Sequence, residues 1–130
     1  ENYFDLILSN PPFFFPDKVL KSNNISINNS KYISELDLEK WLHNAIFYLK
    51  AKGTAFIINR FENIDFMLEI LKKFNLEVTT TPILSFKGSK PKNVLLKITK
   101  SDYFIEKTSN AIIIHDKLSK YSKDIVNWFK

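Results

Sequence analysis

The chain has no cysteine, which excludes a disulfide frame and any thiolate metal site. Its two histidines, His43 and His115, stand far apart with no partner at ligand spacing, so no metal is expected. Glycine occurs twice, at Gly53 and Gly88, and neither opens the glycine-rich strand–loop–helix that holds a nucleotide in an open α/β sheet. No apolar run approaches the roughly eighteen residues of a membrane span, and no signal peptide precedes the first strand. A cytoplasmic setting without a membrane partner is therefore the expectation. Arginine occurs once, at Arg60. What the chain has in quantity is apolar and aromatic surface: 45% hydrophobic and 15% aromatic over 130 residues, enough for one packed unit.

Charge is unevenly spread behind a net +5. Residues 1–84 carry nine Lys/Arg against ten Asp/Glu, whereas residues 85–130 carry ten Lys against four Asp/Glu. The C-terminal third is thus the basic part. Lys87, Lys90, Lys92, Lys97 and Lys100 fall close together in sequence. They suit either phosphate contacts on a nucleic acid or lysine protection of a solvated hairpin edge.

The most informative stretch is Phe4-Asp5-Leu6-Ile7-Leu8-Ser9-Asn10-Pro11-Pro12-Phe13. Leu6, Ile7 and Leu8 form an apolar run without alternation, as expected of a parallel strand covered on both faces. Ligands in open α/β sheets bind beyond the carboxyl ends of such strands, which is where Asn10 falls. Two consecutive prolines fix φ and offer no N–H, so the loop is stiff and its carbonyls are available as acceptors. An amide oxygen and a backbone carbonyl together accept hydrogen bonds from an amino group, and Phe13 offers a face for a flat base. Phe14 and Phe15 read better as core.

The rest of the chain alternates. Residues 16–35 make a long polar connection, either a lid over the site or a plain surface loop. A helix is predicted from about Ser34 to Asp37 onward, with Leu38, Trp41, Leu42, Ala45, Ile46 and Leu49 at helical spacing and Lys50-Ala51-Lys52-Gly53 closing it. His43 lies off that stripe and reads as an exposed helical residue. A second buried strand, residues 53–58, ends at Asn59-Arg60, so Arg60 is a candidate phosphate contact or the partner of an acid such as Glu62. A second helix over about residues 63–74 follows. Residues 76–84 and 93–99 then read as a hairpin across a glycine- and proline-bearing turn. A short strand at 111–114 and a short helix at 123–129 close the chain.

The tetrapeptide Asn10-Pro11-Pro12-Phe13 resembles motif IV of the S-adenosylmethionine-dependent N-methyltransferases of the Asn-Pro-Pro-Tyr/Phe type. With the hairpin Pro82…Lys90-Pro91-Lys92-Asn93-Val94-Leu95-Leu96 and the ending Ile112-Ile113-Ile114-His115-Asp116 followed by Tyr121-Ser122, it is most similar to the bacterial tRNA adenine-N6 methyltransferases that modify an anticodon-loop adenine of a valine tRNA. The resemblance implies a Rossmann-like α/β fold, with this chain as its C-terminal half: a mixed sheet that ends in an antiparallel hairpin. It implies S-adenosyl-L-methionine as cofactor and tRNA as partner. Asn10, Pro11, Pro12 and Phe13 become the residues that hold the methyl acceptor, with Asn10 also facing the cofactor. Arg60, Lys87, Lys90 and Lys92 become candidate RNA contacts, and His115 reads as structural. The missing glycine-rich loop and the abrupt start before a strand imply that the cofactor-binding half is absent, leaving a surface for self-association or for that half. Protein glutamine N5 methylation, methylation of another nucleobase and RNA binding without catalysis are the alternatives.

Overall fold

The computed structural model describes residues 2–11, 35–116 and 121–128. Pro12, Phe13 and the aromatic pair Phe14–Phe15 lie outside them, as does nearly all of the polar connection read as a lid. The described chain runs β1 (Phe4–Ser9), α1 (Glu35–Tyr48), β2 (Leu49–Arg60), a 3₁₀ turn (Phe61–Asn63), α2 (Ile64–Leu71), β3 (Leu76–Phe86), β4 (Asn93–Lys100), β5 (Ile105–Thr108), β6 (Ile112–His115) and α3 (Lys123–Trp128).

The sheet order is β1-β2-β4-β3-β5, with β6 also paired to β3. β2 is parallel to β1, β4 is antiparallel to both β2 and β3, and β5 and β6 are parallel to β3. The second strand of the predicted hairpin therefore slots between β2 and β3 and is the one reversed strand of the described sheet. That insertion leaves β1, β2, β3, β5 and β6 all pointing the same way.

One face of this sheet is sealed. Leu38, Leu42, Ala45 and Ile46 recur at helical spacing on α1, and Met67, Leu68, Ile70 and Leu71 do so on α2; all are buried. They meet Ala55 and Ile57 of β2, Val94, Leu96 and Ile98 of β4, and Leu76 and Val78 of β3 in one continuous core. Each fully buried Leu or Ile there contributes about 1.5–3 kcal/mol of hydrophobic stabilisation.

The other face differs from expectation. Leu6 and Leu8 share it with Thr54 and Phe56 by register, yet Leu6 is 55% and Leu8 71% exposed. A continuous apolar run predicts cover on both sides, and of Leu6, Ile7 and Leu8 only Ile7 packs against the core. β1 is also an edge strand, with no described strand on its far side.

Boundaries depart from the pattern where local geometry overrides it. α1 stops at Tyr48, whose carbonyl accepts from Tyr3 N at 2.9 Å, and β2 starts at once with Leu49 opposite Phe4. The register then jumps from Phe4↔Leu49 to Leu6↔Thr54, so residues 50–53 bulge out of the ladder. Gly53 permits this: a Cβ there would lie 2.9 Å from Phe4 O and 3.0 Å from Asp5 O. The residues whose pattern suggests a helix terminus are in fact this bulge. α2 is shorter than predicted. β5 has no signal of its own, because Ile105-Glu106-Lys107-Thr108 has only one apolar residue and is recruited by pairing with β3.

Candidate active site at the carboxyl rim of the sheet

Because β1, β2, β3 and β6 are co-directional, their carboxyl ends share one rim: Ser9 and Asn10, then Arg60, then Phe86, then His115. The reversed β4 begins on the same rim at Asn93. Asn10 is exposed there and Pro11 is buried, so the amide stands outward on a backbone anchored by the first proline.

The end of β1 is flanked by a hollow on each side. Between β1 and α1 lies a cavity of about 520 Å³ bordered by Ile7, Ser9, Asp37, Lys40, Trp41 and Tyr48. On the uncovered face, a hollow of about 350 Å³ is lined by Leu8, Ser9, Asn10, Phe56, Ile58 and Leu95. The first is tied to the strand by Trp41, whose indole Nε1–H donates to Ser9 Oγ at 2.5 Å. Asn10 thus borders a mainly apolar hollow.

Asp37, Lys40 and Trp41 border the site without being marked as site residues by the sequence pattern. Trp41 falls at the spacing of Leu38 and Leu42 and reads as core, but it is 40% exposed and turns its N–H toward the end of β1. The available signal is its indole donor, which a buried stripe position would leave without a partner.

Arg60 is held at the same rim by a small amide cluster. The fully buried Asn59 accepts through Oδ1 from Arg60 N and from Asn63 Nδ2, each at 2.8 Å, fixing the step from strand to 3₁₀ turn. Phe61 N donates to Lys92 O at 2.9 Å, and Lys92 N to Ile83 O at 3.1 Å. These bonds stitch the ends of β2 and β3 to the start of β4, and Arg60 and Lys92 share a hollow of about 240 Å³ with Glu62 and Pro91.

The lysines separate into two groups. Lys87, Lys90 and Lys92 are exposed on the rim, and no ion pair among the described residues engages them. Lys97 lies midway along β4, and Lys100 ends it, donating to Asn2 Oδ1 at 3.0 Å. From Asn93 to Lys100 is about 24 Å at strand rise, so Lys100 belongs to the opposite edge of the sheet. Five lysines close in sequence are three on the site side and two away from it.

Neither the known protein families nor the curated proteins contain a match to the chain. Among solved structures it is similar to a predicted O-methyltransferase, protein Atu636 of Agrobacterium tumefaciens, with a TM-score of 0.64 and 16% identity; the match covers 95% of this chain and 50% of that one. The fold is methyltransferase-like. The chain spans about half the length of this relative.

In a methyltransferase-like sheet, the glycines matter for a cofactor site. Gly53 is consumed by the close approach of β1 and β2, and Gly88, at φ +82°, makes the turn between β3 and β4. Neither glycine therefore forms a nucleotide-cradling loop. No helix among the described residues is long and apolar enough to cross a membrane.

Proposed function

We propose that the chain is the acceptor-binding half of an S-adenosyl-L-methionine-dependent N-methyltransferase that modifies the exocyclic N6 of an unpaired adenine in tRNA. The observation that carries this reading is Asn10-Pro11, the start of Asn-Pro-Pro-Phe, at the carboxyl end of the first strand of a methyltransferase-like sheet. The apolar face and the edge of β1, which no described residue covers, support the division into halves, since parallel strands are ordinarily covered on both sides.

When bound, the cofactor supplies an electrophilic sulfonium methyl. The work of this chain is to present the nitrogen. An amino group has two N–H donors, and Asn10 Oδ1 with the Pro11 carbonyl are two acceptors. Held between them, the nitrogen keeps its lone pair directed out of the base plane toward the methyl carbon. Transfer would break the S–CH3 bond, its electron pair leaving on sulfur as a neutral thioether; the positive charge that passes to nitrogen would be stabilised by both acceptors of this chain, and a proton would then leave to solvent. Asn10 would also border the cofactor, while Phe13 lies outside the described residues and has its stacking role only by the resemblance.

The same acceptor pair would hold a glutamine side-chain amide. The basic rim, Lys87, Lys90 and Lys92, favours a phosphate-bearing substrate over a protein one. An oxygen nucleophile has at most one proton to share, so a two-acceptor clamp is the wrong tool for O-methylation, and the 16% likeness carries the fold alone.

Two measurements test the proposal. Calorimetry of the 130-residue chain with millimolar S-adenosyl-L-methionine is expected to give no saturable heat; saturable binding would overturn the division into halves. In the presence of the cofactor-binding half, Asn10→Ala is expected to lower transfer of labelled methyl to unmodified tRNA by about a hundredfold or more. Turnover that withstands this substitution sinks the role of Asn10.

A further inference from the structure

A second constellation lies on the same rim, away from Asn10. β3 and β6 end side by side, with Phe86 opposite His115 in register. The Phe86 and His115 ring centroids are 5.7 Å apart at 38°, and the His115 and Tyr121 centroids are 5.4 Å apart at 20°, which is stacked. The three rings form a row whose two ends are open: Phe86 is 43% and Tyr121 63% exposed. Large aromatic surface left in water at both ends of a stack is an unfinished contact.

Backbone hydrogen bonds anchor both ends of the row. Ser89 Oγ donates to Phe86 O at 2.6 Å, Phe86 N to Ser89 Oγ at 3.1 Å, and Ser89 N to Phe86 O at 3.1 Å, closing the turn tightly on the Phe86 backbone. Tyr121 is bridged to His115, and the next residue, Ser122, donates its N–H to Ile114 O at 2.9 Å and its hydroxyl to Ile113 O. Preorganised rings lose little entropy when a ligand stacks on them.

Cations flank the row. Lys87 follows Phe86 directly, Lys90 lies on the same turn, and neither has an ion pair among the described residues. Exposed aromatics beside unneutralised lysines match the chemistry of a single-stranded nucleic acid, bases on the rings and phosphates on the ammonium groups. From β1 to β6 the rim crosses four strand intervals, about 19 Å, a span of a few nucleotides.

We propose that Phe86, His115 and Tyr121, with Lys87 and Lys90, form a stacking platform for an unpaired RNA base that neighbours the methyl-accepting adenine. The assignment rests on the RNA reading of the rim and adds a second anchor to it. With Asn10 holding one base and this row another, the enzyme would select loops over duplexes, because only unpaired bases can be splayed to both positions.

The test is the affinity of the 130-residue chain for a fluorescent RNA stem-loop with an adenine-bearing loop of about seven nucleotides, measured across a salt series. Tyr121→Ala is expected to weaken binding about five- to hundredfold while leaving the salt slope unchanged, and Tyr121→Phe to restore it, since the ring is what matters. Lys87→Ala with Lys90→Ala is expected to flatten the slope instead, by about 0.7 for each phosphate that is no longer neutralised. Circular dichroism and melting of each variant certify its fold; should Phe86→Ala unfold, the Tyr121 pair still decides. Tyr121→Ala binding as tightly as the parent chain would overturn the platform and leave the RNA reading intact. A folded parent chain that binds no RNA would overturn both, and would leave the row as a contact for a protein.

Discussion

The two sides of the sheet are finished differently. Beyond β3, two short strands are laid end to end: β5 pairs with residues 77–80 and β6 with Ile83, Leu84 and Phe86. Beyond β1 there is nothing among the described residues, and Leu6 and Leu8 stand more than half exposed. Folded proteins ordinarily cover, shorten or charge a free strand edge. Among the described residues, the β3 side meets that requirement with its two short strands, while on the β1 side only the exposed Asp5 guards the edge. What the contrast teaches is that the described chain carries its own stability on the helix-covered core and its unsatisfied surface at the candidate site.

The sharpest test of this contrast truncates one leucine in the helix-covered core and one on the open face of β1. Leu42→Ala, on α1 with no exposed surface, is expected to cost about 2–5 kcal/mol in denaturant unfolding. Leu8→Ala, 71% exposed, is expected to fall within about 0.5 kcal/mol. Equal costs would mean that the β1 face is buried in solution, by a second copy or another chain. Self-association can be read separately: Leu8→Lys is expected to lower any apparent mass above the monomer in light scattering, since a charge there disrupts an apolar contact.

A smaller effect tests how β1 is attached. Gly53→Ala puts a methyl 2.9 Å from Phe4 O and 3.0 Å from Asp5 O, backbone atoms that cannot swing aside. The expected loss is about 1–3 kcal/mol, with faster hydrogen exchange confined to β1 and the start of β2. Gly88→Ala meets no atom within 4 Å and is penalised only through its φ of +82°, costing about 1 kcal/mol without touching β1.

Much of this architecture is legible in the sequence because the signals are local and redundant. α1, the β3–β4 hairpin and α3 are announced by periodicity, by Gly88 with Pro91 in the turn, and by Ile125 and Val126 in the last helix. The position of Asn10 beyond a strand end follows from one apolar run. What is not legible is set by partners distant in sequence. β5 exists because β3 offers it an edge, the 50–53 bulge because Phe4 pairs with Leu49, and the separation of Lys100 from Lys92 because a strand of eight residues is long. Trp41 misleads for the same reason: its spacing fits a core, and only the tertiary fold brings Ser9 to its indole. The exposure of Leu6 and Leu8 is hidden too, since an apolar run reports what a strand is built to be covered by, and not whether the cover is present.

The smallest expected effect concerns the ion pair across the β1–β2 boundary, Lys50 Nζ to Asp5 Oδ2 at 3.2 Å. The Asp5 side chain is 83% and that of Lys50 45% exposed, so both are well solvated and screened. Each must also give up rotamer freedom to stay paired, and such contacts contribute about 0.5 kcal/mol or less. Lys50→Ala is therefore expected to leave the unfolding midpoint nearly unchanged, and the parent chain to be insensitive to added salt in this region. If β1 were pinned chiefly by this pair, the substitution would free the strand, and hydrogen exchange of Ile7 and Leu8 would accelerate as it does in Gly53→Ala. Unaltered exchange would leave the ladder from Leu6↔Thr54 to Ser9↔Ile57, with Ile7 packed on the core, as what holds the candidate site at the rim.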